Sequence, residues 1–141
     1  MDIKYSNSIS VEVYNKIRSA RGWTQINPEQ VKIALERRDL IINAKIGNES
    51  IGMACLLWDG GTFALIKDII VIPEYRMKGI EKEMVKQIIY FLQNKLKPGF
   101  RVQIDVNAFE DEQIFTEIGF QQSTKENRGI PMHLCLNNCL E

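Results

Sequence analysis

Between Phe63 and Asp105 the apolar positions follow two different periods, and the change of period divides the stretch into elements. Residues 63–71 form an apolar run broken only by Lys67 and Asp68, which predicts a strand. Ile80, Met84, Ile88, Phe91 and Leu92 then share one helical stripe, with Glu83, Lys86, Gln87 and Gln93 on the opposite face. That spacing predicts a helix over 80–96, which Pro98-Gly99 stops, and a second strand over 101–106 follows. Two strands joined by a helical crossover of this length should run parallel.

The same reading extends to both sides. Residues 3–5 predict a short first strand. Ser10 is placed to cap a helix over 11–21, with Val13, Ile17 and Ala20 as its stripe and Gly22 at its end. Asn27 followed by Pro28 opens a second helix, whose apolar side is Val31, Ala34 and Leu35. Strands over 40–45 and 51–58 flank Gly47-Asn48 and predict an antiparallel hairpin, with Gly52 inside a strand or at a bulge. Asp59-Gly60-Gly61 turns the chain into 63–71, completing a three-strand meander. Beyond Val106, a short helix near 111–117 would turn Ile114, Phe115 and Ile118 inward and end at Gly119. Residues 121–123 and 130–136 predict a terminal strand pair containing the lone histidine, His133. No repeat, low-complexity segment or linker divides the chain, so 1–141 reads as a single domain.

Composition narrows the function classes. Eighteen basic and eighteen acidic residues cancel, so no global field favours nucleic acid or an anionic membrane as a partner. No apolar run approaches the ~20 residues that span a bilayer, and the first residues lack a signal-peptide core, which points to a cytoplasmic protein. Cys55, Cys135 and Cys139 lack C-x-x-C spacing and read as buried or idle thiols rather than as disulfides or a metal site. One histidine cannot build a histidine-rich metal site, and no metal is expected.

The helix start at Gly79 is a candidate anion site. Amides at a helix N-terminus lack intrahelical partners and sit at the positive end of the dipole, so a phosphate can dock on backbone alone. Arg76, Lys78 and Lys82 add charge around it. The segment Val71-x-Pro73-x-Tyr75-Arg76-x-x-Gly79-Ile80 resembles the pyrophosphate loop of the GNAT superfamily of N-acetyltransferases. Residues 66–71 resemble that family's fourth strand, and Phe115-Thr116-Glu117-Ile118-Gly119-Phe120 is similar to its Y-x-x-x-G-F segment. The resemblance covers most of the chain from about Leu40 onward. It implies an α/β fold with a mixed, mostly antiparallel sheet, one parallel splayed strand pair and flanking helices.

The resemblance also implies acetyl-CoA as cosubstrate and a primary amine, on a small molecule or a peptide, as acceptor. Backbone around Ile69, Ile70 and Val71 would hold the acyl arm. The loop Arg76, Met77, Lys78, Gly79, Ile80 and Glu81 would hold the diphosphate, with Asn107 and Phe115 completing the donor site. Trp23, between the first two helices, becomes a candidate acceptor contact, although a large aromatic there equally serves packing. A homodimer is common in the family, but no decisive apolar seam stands out here.

Asp68 is the candidate catalytic carboxylate. A carboxylate set in an apolar strand is desolvated, which makes it a better base near neutral pH. Strand alternation sends Lys67 to the opposite face, so the two cannot simply neutralise each other. Asp68 equally reads as a structural group satisfied by nearby amides. Glu81 departs from the family, which prefers glycine or alanine there, and its repulsion of a diphosphate would cost about 1 kcal/mol, roughly fivefold in affinity. Phe115 departs too: it stands where the family often has a tyrosine that protonates the leaving thiolate, and phenylalanine has no proton to give. Tyr75 or a water would then serve, though Tyr75 reads equally as a loop residue. These departures keep open a non-catalytic acyl-CoA-binding module, and the loop alone admits a nucleotide-binding domain. The charge cluster Glu36-Arg37-Arg38-Asp39 reads as a solvated helix end.

Overall fold

In the computed structural model, which describes residues 2–107 and 112–137, five strands form one sheet in the order β1-β2-β3-β4-β5. The chain gathers into two units, Met1–Asn107 and Ala108–Glu141. The first unit holds the whole sheet: β1 (Ile3–Ser6), β2 (Leu40–Ile46), β3 (Glu49–Trp58), β4 (Phe63–Val71) and β5 (Gln103–Val106). The first four strands are mutually antiparallel, and β4 and β5 are parallel. The mixed sheet with one parallel pair is therefore the one expected.

Helix boundaries follow local chemistry. The Ser10 side chain accepts from Val13 N at the start of α1 (Val11–Arg21), and Gly22 closes it at φ +93°. The Asn27 side chain caps α2 (Pro28–Glu36), with proline in the first turn. The long crossover helix α3 (Ile80–Lys95) buries Ile80, Met84, Val85, Ile88 and Leu92, the predicted stripe with Val85 in place of Phe91.

Successive β3 residues point to opposite faces of the sheet, and their neighbours tell the faces apart. Met53 packs with Tyr14 and Ile17 of α1, Val31 of α2 and Ile70 of β4. Next to it, a Cβ on Gly52 would meet Met84 of α3 at 3.6 Å. So α1 and α2 cover one face and α3 the other, and β3 and β4 lie buried between them.

Gly52 is required by close approach rather than by its backbone angles. A Cβ there would lie 3.0 Å from the Ile70 carbonyl oxygen and 3.3 Å from Val71 Cγ2. The pairing of β2 with β3 slips between Ala44 and Lys45, leaving Ile51 as the extra residue, so the bulge falls one residue from the glycine.

Other expectations are corrected. The buried stripe of α1 is Tyr14, Asn15, Ile17 and Arg18, and Ala20 is exposed. Asn15 and Arg18 turn inward because they satisfy the following loop: Asn15 Nδ2 donates to Ile26 O at 2.8 Å, and Arg18 Nε donates to Thr24 O at 3.0 Å. In the second unit, α4 (Glu112–Ile118) forms and Gly119 follows it at φ +122°. The predicted strand pair over 121–123 and 130–136 is absent: residues 120–137 hold no strand or helix. Ile130, Met132, Leu134 and Leu136 do alternate, yet they are 67%, 89%, 84% and 75% exposed, and alternation makes a strand only where a neighbour buries one face. Cys55 is a buried free thiol, whereas Cys135 is disulfide-bonded rather than idle. Asp111 and Cys139 lie outside the described residues.

Replacing Gly52 by alanine should destabilise the protein by about 1–2 kcal/mol, because the added methyl meets backbone oxygen and a packed valine. Chemical denaturation of the variant checks this, and an unchanged midpoint would show that β4 yields at no cost.

Candidate active site

β4 outruns its outer neighbour. β5 pairs with it from Phe63↔Gln103 to Ile66↔Val106 and stops, while β4 continues to Val71. Among the described residues, no strand lies against the outer edge of 67–71. Asn107 follows the last paired residue of β5, at the fork where the strands part. Peptide groups on such an edge can take up an extended ligand as another strand would be taken up.

On the inner edge the ladder is irregular at the same level. Met53 faces Ile70 and Cys55 faces Lys67, so Asp68 and Ile69 together oppose the single residue Ala54. This is a β-bulge, and Asp68 sits in it at φ +56°, left-handed backbone that aspartate tolerates better than most residues.

The Asp68 carboxylate is held by two groups from the α1–α2 side. Tyr14 Oη donates to Asp68 Oδ2 at 2.8 Å, and Arg38 Nη2 donates to the same oxygen at 3.1 Å. The side chains of Arg38 and Asp68 are only 9% and 5% exposed. The carboxylate therefore is neutralised after all, by Arg38 rather than by Lys67, and Arg38 is not part of a solvated helix end. Its position follows from the chain's exit from α2: Arg38 N donates to Leu35 O at 3.3 Å, and Asp39 N donates to Leu56 O at 2.8 Å. Asp39 Oδ2 also accepts from Trp58 N at 2.6 Å, tacking this junction onto β3. Arg38 Nε is buried without a hydrogen-bond partner.

This burial reshapes the neighbouring acids. Desolvation first, and then the Asp68 carboxylate, raise the Tyr14 phenol far above its ordinary range. The same two causes push the Cys55 thiol up to about 12, so Cys55 is not a thiolate nucleophile near neutral pH.

Past Val71 the chain makes a single 3-10 turn, Pro73–Tyr75, and Arg76 Nε donates back to Val71 O at 3.3 Å. Met77 is 89% exposed and left-handed at φ +63°. Gly79 follows at φ +82°, as the residue before α3, and no side chain caps the helix there. The first intrahelical bond runs from Glu83 N to Gly79 O at 3.0 Å, so the preceding amides face out of the helix end. A Cβ on Gly79 would meet nothing within 4 Å, so its backbone angle, not crowding within the protein, calls for glycine. Lys78 is exposed, Glu81 is half-buried, and Ile80 is a core residue.

Of the other candidates, Ile70 and Val71 are buried and Ile69 partly so. Trp23 is half-buried against the core cluster, with the guanidinium carbons of Arg18 and Arg21 at 5.2 and 5.6 Å from its ring centre. It thus packs against the cluster formed by α1, α2 and Ile70. Phe115 belongs to the second unit, where it is buried and meets the Phe120 ring edge-on at 5.7 Å. The structure brings Asp68, Ile69, Ile70 and Val71 together with the turn into α3. Tyr14 and Arg38 were missed: Arg38 hides in a charged quartet, and Tyr14 lies beside the predicted stripe of α1.

The sequence pattern of the acetyltransferase (GNAT) family matches residues 8–115. An uncharacterised N-acetyltransferase of Porphyra purpurea, ycf52, is 29% identical over an alignment of 94 residues that covers 62% of this chain. The chain spans about half the length of that relative, 54%. A Staphylococcus aureus protein of unknown function superposes with TM-score 0.81 at 19% identity, over 94% of this chain and 100% of the other. A GNAT family acetyltransferase of Streptococcus pneumoniae gives TM-score 0.72 at 23% identity, over 96% and 97%. At these identities the two structures show a shared fold.

The raised Tyr14 and Cys55 groups fix a sign for alkaline stability. The folded chain holds these protons more tightly than the unfolded chain, so their contribution is complete below the unfolded values and is lost as pH rises through the alkaline range. The unfolding free energy should fall between about pH 9 and pH 12, and Tyr14→Phe should flatten that fall while costing about 2 kcal/mol at neutral pH. Denaturant titrations across this range test it; an equally steep fall in the variant would remove Tyr14 as a source.

Proposed function

Because the chain belongs to the acetyltransferase (GNAT) family, we propose that it transfers the acetyl group of acetyl-CoA to a primary amine of a small molecule or peptide by direct attack. The observation that carries this reading is the outer edge of β4 beyond Ile66, unpaired among the described residues, one short turn before a helix end that no side chain caps. The first suits an extended arm and the second a diphosphate, and their order along the chain is that of the cosubstrate's parts.

Bound acetyl-CoA supplies an activated thioester. Ile69, Ile70 and Val71 offer backbone groups to the acyl arm. Met77, Lys78, Gly79, Ile80 and Glu81 present amides to the diphosphate, and Lys78 adds charge. Arg76 secures the turn to the strand through Val71 O. Asn107 borders the fork on the β5 side.

In the reaction a C–N bond forms and the C–S bond breaks, giving an amide and a free thiol. The amine loses one proton. Both bonds that hold Asp68 fall on Oδ2, and Oδ1 is the atom we assign to take that proton, directly or through a water. The thiol takes its proton from solvent, since Phe115 has none to give. A neutral amine is already a competent nucleophile, so holding the two reactants together supplies much of the acceleration. Trp23 lines the acceptor side. A cytoplasmic location and a homodimer belong to the same reading.

A second reading, a non-catalytic acyl-CoA-binding module, is favoured by the Arg38–Asp68 ion pair, which already engages the carboxylate in a contact within the protein.

Purified protein with acetyl-CoA and a panel of amines should release free thiol. Asp68→Asn should lower kcat by about a hundredfold while leaving CoA affinity within about twofold of wild type. Tight CoA binding with no thiol release from any amine selects the binding module. Full activity in Asp68→Asn removes Asp68 as the base.

A further inference from the structure

At Asp68 and Ile69 β4 lacks regular pairing on both edges. β5 has already stopped at Ile66↔Val106, and on the other edge two residues share one partner, Ala54. Elsewhere in the sheet a ladder dictates the strand's path. Here the β3 ladder brackets the bulge at Lys67↔Cys55 and Ile70↔Met53 and leaves the left-handed residue between them, at φ +56°, without a regular partner. Left-handed backbone at a non-glycine residue costs free energy and persists only where its surroundings enforce it.

What does hold this point is one oxygen atom. Asp68 Oδ2 accepts from Tyr14 at 2.8 Å and from Arg38 at 3.1 Å. Tyr14 is anchored in the core beside Ile17 and Ile70, and Arg38 is fixed by the junction tied to β3 through Asp39. The two anchors come from different elements, so together they define the carboxylate's position and not merely its distance from one neighbour.

We infer that Tyr14 and Arg38 are positioning residues that clamp the β4 bulge through Asp68, so that the peptide groups of residues 69–71 keep the orientation in which they receive the acyl arm. This rests on the donor-site reading above and extends it to two residues that act through Asp68. Through the clamp, α1 and the exit of α2 set the geometry of the donor strand. A change on that helix pair is then felt by CoA with no contact to it. Arg38 supplies a charge from a planar group that is itself buried, reaching Asp68 through Nη2.

The test uses the full chain, CoA calorimetry, thermal midpoints and amide exchange of 68–71. Tyr14→Phe should weaken CoA about fivefold, and Asp68→Ala about tenfold or more. Asp68→Asn should stay within about twofold, because its amide oxygen can accept both bonds and asparagine tolerates left-handed backbone. The double variant Tyr14→Phe with Asp68→Ala should be no weaker than Asp68→Ala alone. Exchange at 68–71 should quicken in Tyr14→Phe beyond any rise elsewhere. Should Asp68→Ala not fold, Tyr14→Phe, which removes one oxygen, decides alone. Lowered midpoints with wild-type CoA affinity and uniform exchange would make the cluster merely structural and overturn the inference. Loss of affinity in Asp68→Asn equal to that in Asp68→Ala would overturn it as well. A wild-type chain that binds no CoA would sink the donor-site reading instead, and the exchange pattern would still decide the clamp.

Discussion

A carboxylate buried in the middle of a strand has to be satisfied, and much of the local structure around β4 follows from how Asp68 is. Removing an ionised group from water costs several kcal/mol unless a partner and hydrogen bonds replace the lost hydration. Arg38 and Tyr14 provide both on a single oxygen. That arrangement draws together the first helix, the chain leaving the second helix, and the irregular stretch of β4. The ion pair is not evidence of high stability, since an apolar replacement of similar shape would often do as well. Its value is that it specifies one arrangement of backbone where the hydrogen-bond ladder does not.

The ends of the sheet elements carry the rest. Because β5 is four residues long and β4 nine, the parallel pair has to part. Because Gly79 can take φ +82°, the chain can pass from a 3-10 turn into a long helix without a capping side chain. An unpaired strand edge and an uncapped helix end are both liabilities in a purely structural protein. Their succession within about ten residues is what the proposed donor site rests on.

Polar burial on the first helix makes a related point. Asn15 and Arg18 occupy positions that a hydrophobic stripe would assign to apolar residues, yet each closes a hydrogen bond to the loop after the helix. Trp23 in that loop is packed against the core and flanked by Arg18 and Arg21. The loop is thus preorganised by side chains reaching across it.

Periodicity and end signals in the sequence determined which elements exist. Ser10, Asn27-Pro28 and Gly79 mark helix starts through local hydrogen bonds and backbone angles, and the stripe from Ile80 to Leu92 and the run from 63 to 71 need no distant partner to be recognised. The likeness around Gly79 also stood in the sequence, because the backbone loop depends on a short contiguous stretch. Tertiary structure alone decided the rest. The bulge at Asp68, its neutralisation by Arg38 thirty residues earlier and the inward turn of Tyr14 depend on how elements distant in sequence are brought together. The same holds in reverse for 130–136, whose alternation promised a strand that no neighbouring edge among the described residues completes. A pattern along the chain encodes what a segment can become; whether it is paired, buried or charged is settled by what folds against it.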